Sequence, residues 1–209
     1  MFWQIYDVVL AFIGRVAYMS VRFRSLEIPE IKVVQPGKFA DERGFFVETY
    51  NRRHFAEAGI DIEFVQDNQS FSKAAGTIRG LHLQTEPVAQ AKLVRVLRGR
   101  IWDVAVDVRP GSPGFGKWVA AEISAEAANQ IYIPTGFAHG FCTLEPDTEV
   151  SYKVSNFYSR EHEVAVRWND PALRIAWPVK DGEATLSDKD RAAPLFEDVF
   201  GKKPAVAAS

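Results

Sequence analysis

Cysteine is almost absent from this chain: Cys142 is the only one in 209 residues. A single thiol excludes an internal disulfide and fits a reducing compartment, so a cytoplasmic setting is expected. The flanking Gly-Phe-Cys-Thr-Leu reads as a buried strand, where Cys142 serves as a small packed hydrophobe rather than a nucleophile. Long hydrophobic runs are missing as well. The apolar stretch Val8 to Ile13 falls far short of the about 20 residues that a membrane-spanning helix needs. It also fails as a signal peptide, because Asp7 precedes it and no Lys or Arg comes before Arg15. Charge of one sign is lacking too: 25 Lys and Arg stand against 27 Asp and Glu, a formal net charge of −2. Nothing in that balance points to nucleic acid or to an anionic membrane surface.

What is present is turn-punctuated strand. The 14 Gly and 11 Pro are dispersed between apolar runs. Phe45 to Tyr50, Lys92 to Leu97, Ile101 to Val108, Trp118 to Ile123, Ile131 to Ile133 and Glu149 to Val154 are rich in β-branched and aromatic residues. Within Ile101–Val108, Trp102, Val104, Val106 and Val108 share one parity while Asp103 and Asp107 take the other, the alternation of a half-buried strand. Asn51 to Ala58 reads as a short helix with Asn51 as cap and Gly59 as terminator. Arg109 to Gly114 is a loop. No linker, repeat or low-complexity tract divides the chain, and a small-residue tail follows Pro204. The length suits one domain that buries about 70% of its unfolded surface. Many short strands of this kind make a sandwich or barrel.

The chemistry gathers in Thr77-Ile78-Arg79-Gly80-Leu81-His82-Leu83-Gln84, with Lys92 opening the next strand. An anion clamp, a base and a cation are what proton abstraction beside a carbonyl requires. Arg79 and His82 are an odd number of residues apart, so a regular strand would send them to opposite faces. One pocket holds both only if the strand bends or bulges at Gly80. A second segment, Ile131-Tyr132-Ile133-Pro134-Thr135-Gly136-Phe137-Ala138-His139-Gly140-Phe141, reads as strand, turn and strand. Each of these residues taken singly also fits a packing or solvated role.

The two motifs are similar to the halves of a cupin jelly roll, which implies an all-β sandwich or barrel with a few short helices. Asp41-Glu42-Arg43-Gly44-Phe45-Phe46-Val47-Glu48, Gln66-Asp67-Asn68-Gln69-Ser70, Arg79-Gly80-Leu81-His82, Tyr152-Lys153 and Leu186-Ser187-Asp188-Lys189-Asp190 follow in that order. Together they resemble the dTDP-4-dehydrorhamnose 3,5-epimerase family over roughly Met19 to Phe200. Residues 1–18 are then expected to be an extension, 19–200 a single epimerase domain and 201–209 a tail.

The resemblance implies a role for each matched position. His82 matches the base that removes the C3 and C5 protons of a dTDP-4-keto sugar, and Asp190 the carboxylate that orients it. Tyr152 matches the acid on the opposite face, and Lys92 the cation that stabilises the enolate oxygen. Arg79 and Arg43 match contacts to the pyrophosphate, and Glu48, Gln66 and Asn68 contacts to the deoxythymidine. His139, Glu163 and Lys189 complete the substrate-binding set. Phe46 and Tyr158 are candidate stacking or packing aromatics, whereas His54 and His162 lie in polar sequence and read as solvated. Leu83 departs from the pattern, standing where the family often has an aromatic.

No cofactor is expected, and no metal: Gln84 replaces the second histidine of a metal-binding cupin, and Lys92 would repel a dication. The family further implies a homodimer with substrate contacts across its interface. A C3-only epimerase and a non-catalytic nucleotide-sugar-binding cupin are the alternatives. A metal-dependent cupin oxygenase is opposed by Gln84.

Overall fold

In the computed structural model the described residues are 21–201. The extension expected at residues 1–18, and the tail beyond Gly201, lie outside them. Short alternating runs broken by Gly, Pro and Asp become antiparallel strands. The strands are β1 (Arg22–Ser25), β2 (Lys32–Gln35), β3 (Lys38–Asp41), β4 (Gly44–Val47), β5 (Gln66–Ser72), β6 (Ile78–Gln84) and β7 (Lys92–Arg98). They continue as β8 (Arg100–Asp107), β9 (Trp118–Ser124), β10 (Gln130–Ile133), β11 (Phe137–Thr143), β12 (Thr148–Val154) and β13 (Glu163–Ala165). Helices are brief: α1 (Arg52–Glu57), α2 (Asp188–Arg191) and α3 (Phe196–Phe200). None among the described residues is long and apolar enough to cross a membrane.

Two sheets face one another in a cupin jelly roll. One has the order β1-β2-β10-β7-β12-β5, the other β13-β6-β11-β8-β9, and β3-β4 forms a separate hairpin. Val94, Val96, Ile131, Ile133 and Val150 from the first sheet meet Ile101, Ala105, Ile123, Phe137 and Phe141 from the second. That apolar layer fills the interior on one side of the cavity described below. The outer face of the second sheet is covered by the C-terminal segment, where Val166, Leu173 and Phe196 pack on Leu81, Leu83 and Val104. Phe55 of α1, with Ile60, covers Val34, Leu93 and Tyr132 on the outer face of the first.

Local chemistry sets the element ends. Asn51 caps α1, its Oδ1 accepting the Arg53 amide at 3.1 Å, and Gly59 follows at φ +80°. The strand expected over Phe45–Tyr50 stops at Val47. The Thr49 carbonyl instead accepts the Gln130 side-chain amide at 2.7 Å, and Tyr50 turns its ring onto Phe55.

The reading of Ile101–Val108 as half-buried needs correction. Asp103 and Asp107 are both fully buried, because their face of β8 is the barrel interior and not solvent. Their charges are met there by His139 at 2.9 Å and Arg109 at 2.7 Å. Cys142 is buried in β11, as its flanking residues predict.

Candidate active site

Gly80 makes the site possible. Its φ is +131°, and a Cβ built on it would lie 2.5 Å from Gly140 Cα. Opposite it, the β6–β11 register slips between His139 and Phe141. The irregularity changes the parity of β6. Ile78 and Leu81 therefore both pack into outer-face clusters, while Arg79 and His82 both line one cavity of about 400 Å³, whose wall Ile78 also touches. The bend that Arg79 and His82 require is present.

Register then assembles the rest. His82 and His139 are direct cross-strand partners on β6 and β11. Across the cavity, Lys92 opens β7, and Tyr152 of β12 lies between Val94 and Asn68 in register. A second cavity of about 150 Å³, with Gln66, Asn68, Tyr158 and Glu163 on its walls, shares His82, Lys92 and Tyr152 with the first. These three side chains stand where the two cavities meet.

Asp190 reaches His82 because the segment before it is tied to β6. Ile78 N donates to Thr185 O at 3.0 Å, and Thr77 bridges Thr185 in parallel. Ser187 then caps α2, accepting the Asp190 amide at 3.1 Å and donating its hydroxyl to Asp190 Oδ2 at 2.9 Å. Asp190 Oδ1 lies 2.6 Å from His82 Nε2. Burial alone would raise the Asp190 pKa. The His82 hydrogen bond and charge, with Ser187 and Lys189, outweigh it and hold the carboxyl below its usual value. An ionised carboxylate only accepts, so Nε2 carries a proton, and in the neutral imidazole Nδ1 keeps the lone pair.

A second pair lies alongside. His139 Nε2 is 2.9 Å from Asp103 Oδ2, with both side chains buried. Burial pushes the His139 pKa down, aided by Lys92 and His82 and opposed by Asp103. Asp103 Oδ1 has no hydrogen-bond partner among the described residues. Lys92 donates from Nζ to His82 O at 3.1 Å, linking the two sheets. Burial lowers its pKa to about 8 against the attraction of Asp103 and Glu163. Burial also raises the Tyr152 pKa, an effect that nearby Arg79 moderates.

The residues matched to the nucleotide end by the resemblance divide into two groups. Arg79 is exposed at the rim, its guanidinium donating to Phe71 O at 2.8 Å and Ser72 Oγ at 3.2 Å. Glu163 accepts from Tyr158 Oη at 2.9 Å and pairs with Lys189. Burial would raise the Glu163 pKa, but these two partners hold it below its usual value. Arg43 and Glu48 are not brought to this cavity within the chain. Arg43 pairs with Asp41 in the β3–β4 hairpin, and Glu48 lies 3.2 Å from His54. His54 and His162 are half-buried rather than solvated; His162 Nδ1 meets Ser159 Oγ at 2.8 Å, while His54 Nδ1, close to Glu48, makes no hydrogen bond among the described residues.

Sequence reasoning missed Asp103 and Gln84. Asp103 sits on the parity assigned to solvent. Gln84 is buried and lines the second cavity, where its amide holds neighbouring backbone. Leu83, the one visible departure, packs in the outer core cluster. No cluster of three or more His, Cys, Asp or Glu with metal-binding geometry occurs among the described residues.

The family model for dTDP-4-dehydrorhamnose 3,5-epimerase matches residues 25–198. The enzyme of that name from Sinorhizobium fredii is 52% identical over 172 residues, covering 82% of this chain and 88% of that relative. A crystal structure of the Bacillus anthracis enzyme with TDP and PPi bound superposes with a TM-score of 0.81 at 48% identity, covering 84% of this chain and 99% of the other. The Legionella pneumophila dTDP-6-deoxy-D-glucose-3,5-epimerase, in complex with dTDP-4-keto-L-rhamnose, gives 0.82 at 42% identity, covering 86% and 95%. The chain belongs to the dTDP-4-dehydrorhamnose 3,5-epimerase family.

Proposed function

We propose that this member of the family converts dTDP-4-dehydro-6-deoxy-D-glucose to dTDP-4-dehydro-L-rhamnose by inverting C3 and C5 in turn. The observation that carries the mechanism is His82 of one sheet, held by Asp190 of α2 and facing Lys92 and Tyr152 of the other sheet across a single cavity. His82 Nδ1 takes the proton from the carbon beside the C4 ketone. The electron pair moves into the C3–C4 bond and the carbonyl π electrons onto oxygen, where the Lys92 ammonium meets the developing charge. Asp190 stabilises the imidazolium that results.

Inversion requires the new proton on the opposite face, and Tyr152 approaches from the opposite sheet. Its burial keeps the phenol protonated until the enolate draws the proton away. Exchange with solvent then restores His82 and Tyr152, and the same sequence repeats at C5. Every step of this route is a proton transfer beside a ketone already present in the substrate, so the route calls on no cofactor. His139, whose Nε2–H is directed at Asp103, offers Nδ1 as an acceptor to a sugar hydroxyl. Arg79 is placed at the rim to meet the pyrophosphate. Tyr158, 55% exposed beside the second cavity, presents a ring face to the base, with Gln66, Asn68, Glu163 and Lys189 around it.

Arg43 and Glu48 fit the same scheme only if they come from a second subunit. The hairpin that carries Arg43 also exposes Phe45 and Phe46, an apolar surface suited to a partner. We therefore favour a homodimer in which each hairpin reaches the other subunit's cavity. Buried Cys142, the lone thiol, suits a cytoplasmic enzyme. Incubation with dTDP-4-dehydro-6-deoxy-D-glucose, followed by an NADPH-dependent 4-keto reductase and NMR of the sugar, tests the reading. The L-rhamno configuration is expected. A sugar inverted at C3 alone would assign the C3-only reaction instead.

A further inference from the structure

Two glutamine side chains grip the backbone on either side of Tyr158. Gln84, only 5% exposed, donates from Nε2 to Phe157 O at 3.2 Å and to Val88 O at 3.1 Å. Its Oε1 accepts the Ser159 amide. Gln66 Oε1 accepts the Tyr158 amide at 3.2 Å. The neighbouring loops are joined by further amide bonds, Gln90 Nε2 to Asn156 O at 2.7 Å and Asn156 Nδ2 to Ala89 O at 2.9 Å. Tyr158 is thus an exposed ring on a fixed stem, its hydroxyl tied to Glu163, which is itself the register partner of Gln84.

The polarity of this network is determined. A backbone N–H only donates, so Gln66 must face Tyr158 with its carbonyl oxygen and Asn68 with its amide nitrogen. Gln66 Nε2 donates to Asn68 Oδ1 at 2.8 Å, so Asn68 Nδ2 is the donor left beside the second cavity among the described residues.

We propose that Gln84 is a positioning residue for nucleotide recognition: it holds segment 157–159 so that Tyr158 meets the base ready-oriented and Gln66 keeps Asn68 in its donor orientation. Pre-ordering a loop spares the ligand the entropy of fixing it. The inference rests on the reading that the second cavity takes the nucleoside. It assigns the glutamine of the Leu-His-Leu-Gln run to substrate affinity and not to proton transfer.

Gln84→Met keeps length and volume while removing all three hydrogen bonds. Binding would then have to order segment 157–159 itself, so dTDP should bind about tenfold more weakly or worse. The KM for the dTDP-sugar should rise in step, with kcat at saturation staying within about threefold of wild type. Competition by inorganic pyrophosphate, which lacks the base, should be unchanged. In a Tyr158→Ala background the same substitution should cost clearly less than in wild type, because the part of the effect carried by the ring is already gone and only the part passing through Gln66 and Asn68 remains. Gln84→Glu, which keeps the acceptor for Ser159 but sets a carboxylate oxygen against the Val88 and Phe157 carbonyls, should weaken dTDP binding at least as much and serves as the second variant should Gln84→Met fold poorly.

Unchanged dTDP affinity in a folded Gln84→Met or Gln84→Glu protein would overturn the proposal. So would an equal loss for pyrophosphate, or a full loss in the Tyr158→Ala background. If wild-type protein failed to bind dTDP at all, the nucleotide reading itself would fall, which is a separate outcome.

Discussion

Lys92 is a side chain whose protonation the cavity controls. Burial brings its pKa down from 10.5 to about 8. A lowered lysine pKa disfavours the charged form in the fold, so its cost to stability is full below pH 8. That cost fades as pH rises toward 10.5, where the unfolded lysine also loses its proton. Catalysis has the opposite need, since only the ammonium can meet an enolate. The pH profile of kcat/KM should therefore carry an alkaline limb near pH 8, falling about tenfold per unit beyond it. A profile flat to pH 10 would remove Lys92 from that role. Legibility at this scale was uneven. His82, Lys92, Tyr152 and Asp190 were marked by ordered motifs, but nothing in the spacing tied Asp190 to His82; the Ser187 cap and the Thr77–Thr185 bridge do that. Asp103 was misread, because a period of two reports two faces of a strand and cannot say whether the polar face meets water or a barrel interior.

The β6 strand with its irregularity at Gly80 is the element on which the site depends. Parity requires a departure from a regular strand there if Arg79 and His82 are to share one pocket, and the register slip between His139 and Phe141 is that departure. Gly80→Ala puts a side chain at φ +131°, with its Cβ 2.5 Å from backbone. We expect a loss of about 3 kcal/mol in urea unfolding, at the upper end of ordinary single substitutions. Activity should fall further than stability explains, since Arg79 and His82 no longer share a face. A stable and fully active Gly80→Ala protein would show that the bend is dispensable. Other elements were legible in part. The α1 cap and the strand cores were evident from composition. The early end of β4 was not, because the tertiary partners of Thr49 and Tyr50 decide it.

At the scale of the whole molecule, one chain brings most of the proposed residues to the cavity but leaves Arg43 and Glu48 on a hairpin and its approach. A dimer that shares its hairpins predicts complementation. His82→Ala and Arg43→Ala homodimers should each be impaired. A mixed dimer then contains one site with native His82 from one subunit and native Arg43 from the other. Mixing the two proteins under conditions of subunit exchange should restore activity well above either parent. Failure to restore it, with exchange verified by differently tagged subunits, would mean that Arg43 acts within its own chain or not at all. The sequence could not separate these cases, since a motif fixes residue types and order but not the chain from which each reaches the ligand.

The central claim is that His82 removes protons from both carbons that flank the C4 ketone. Deuterium incorporation tests it most directly: wild-type protein and His82→Ala are incubated with dTDP-4-dehydro-6-deoxy-D-glucose in D2O, and the label is located by NMR. Wild type should place deuterium at C3 and at C5, while His82→Ala should slow both exchanges by about 10²- to 10⁴-fold with its fold intact. Label at C3 alone in the wild type, or wild-type exchange rates in His82→Ala, would contradict the account.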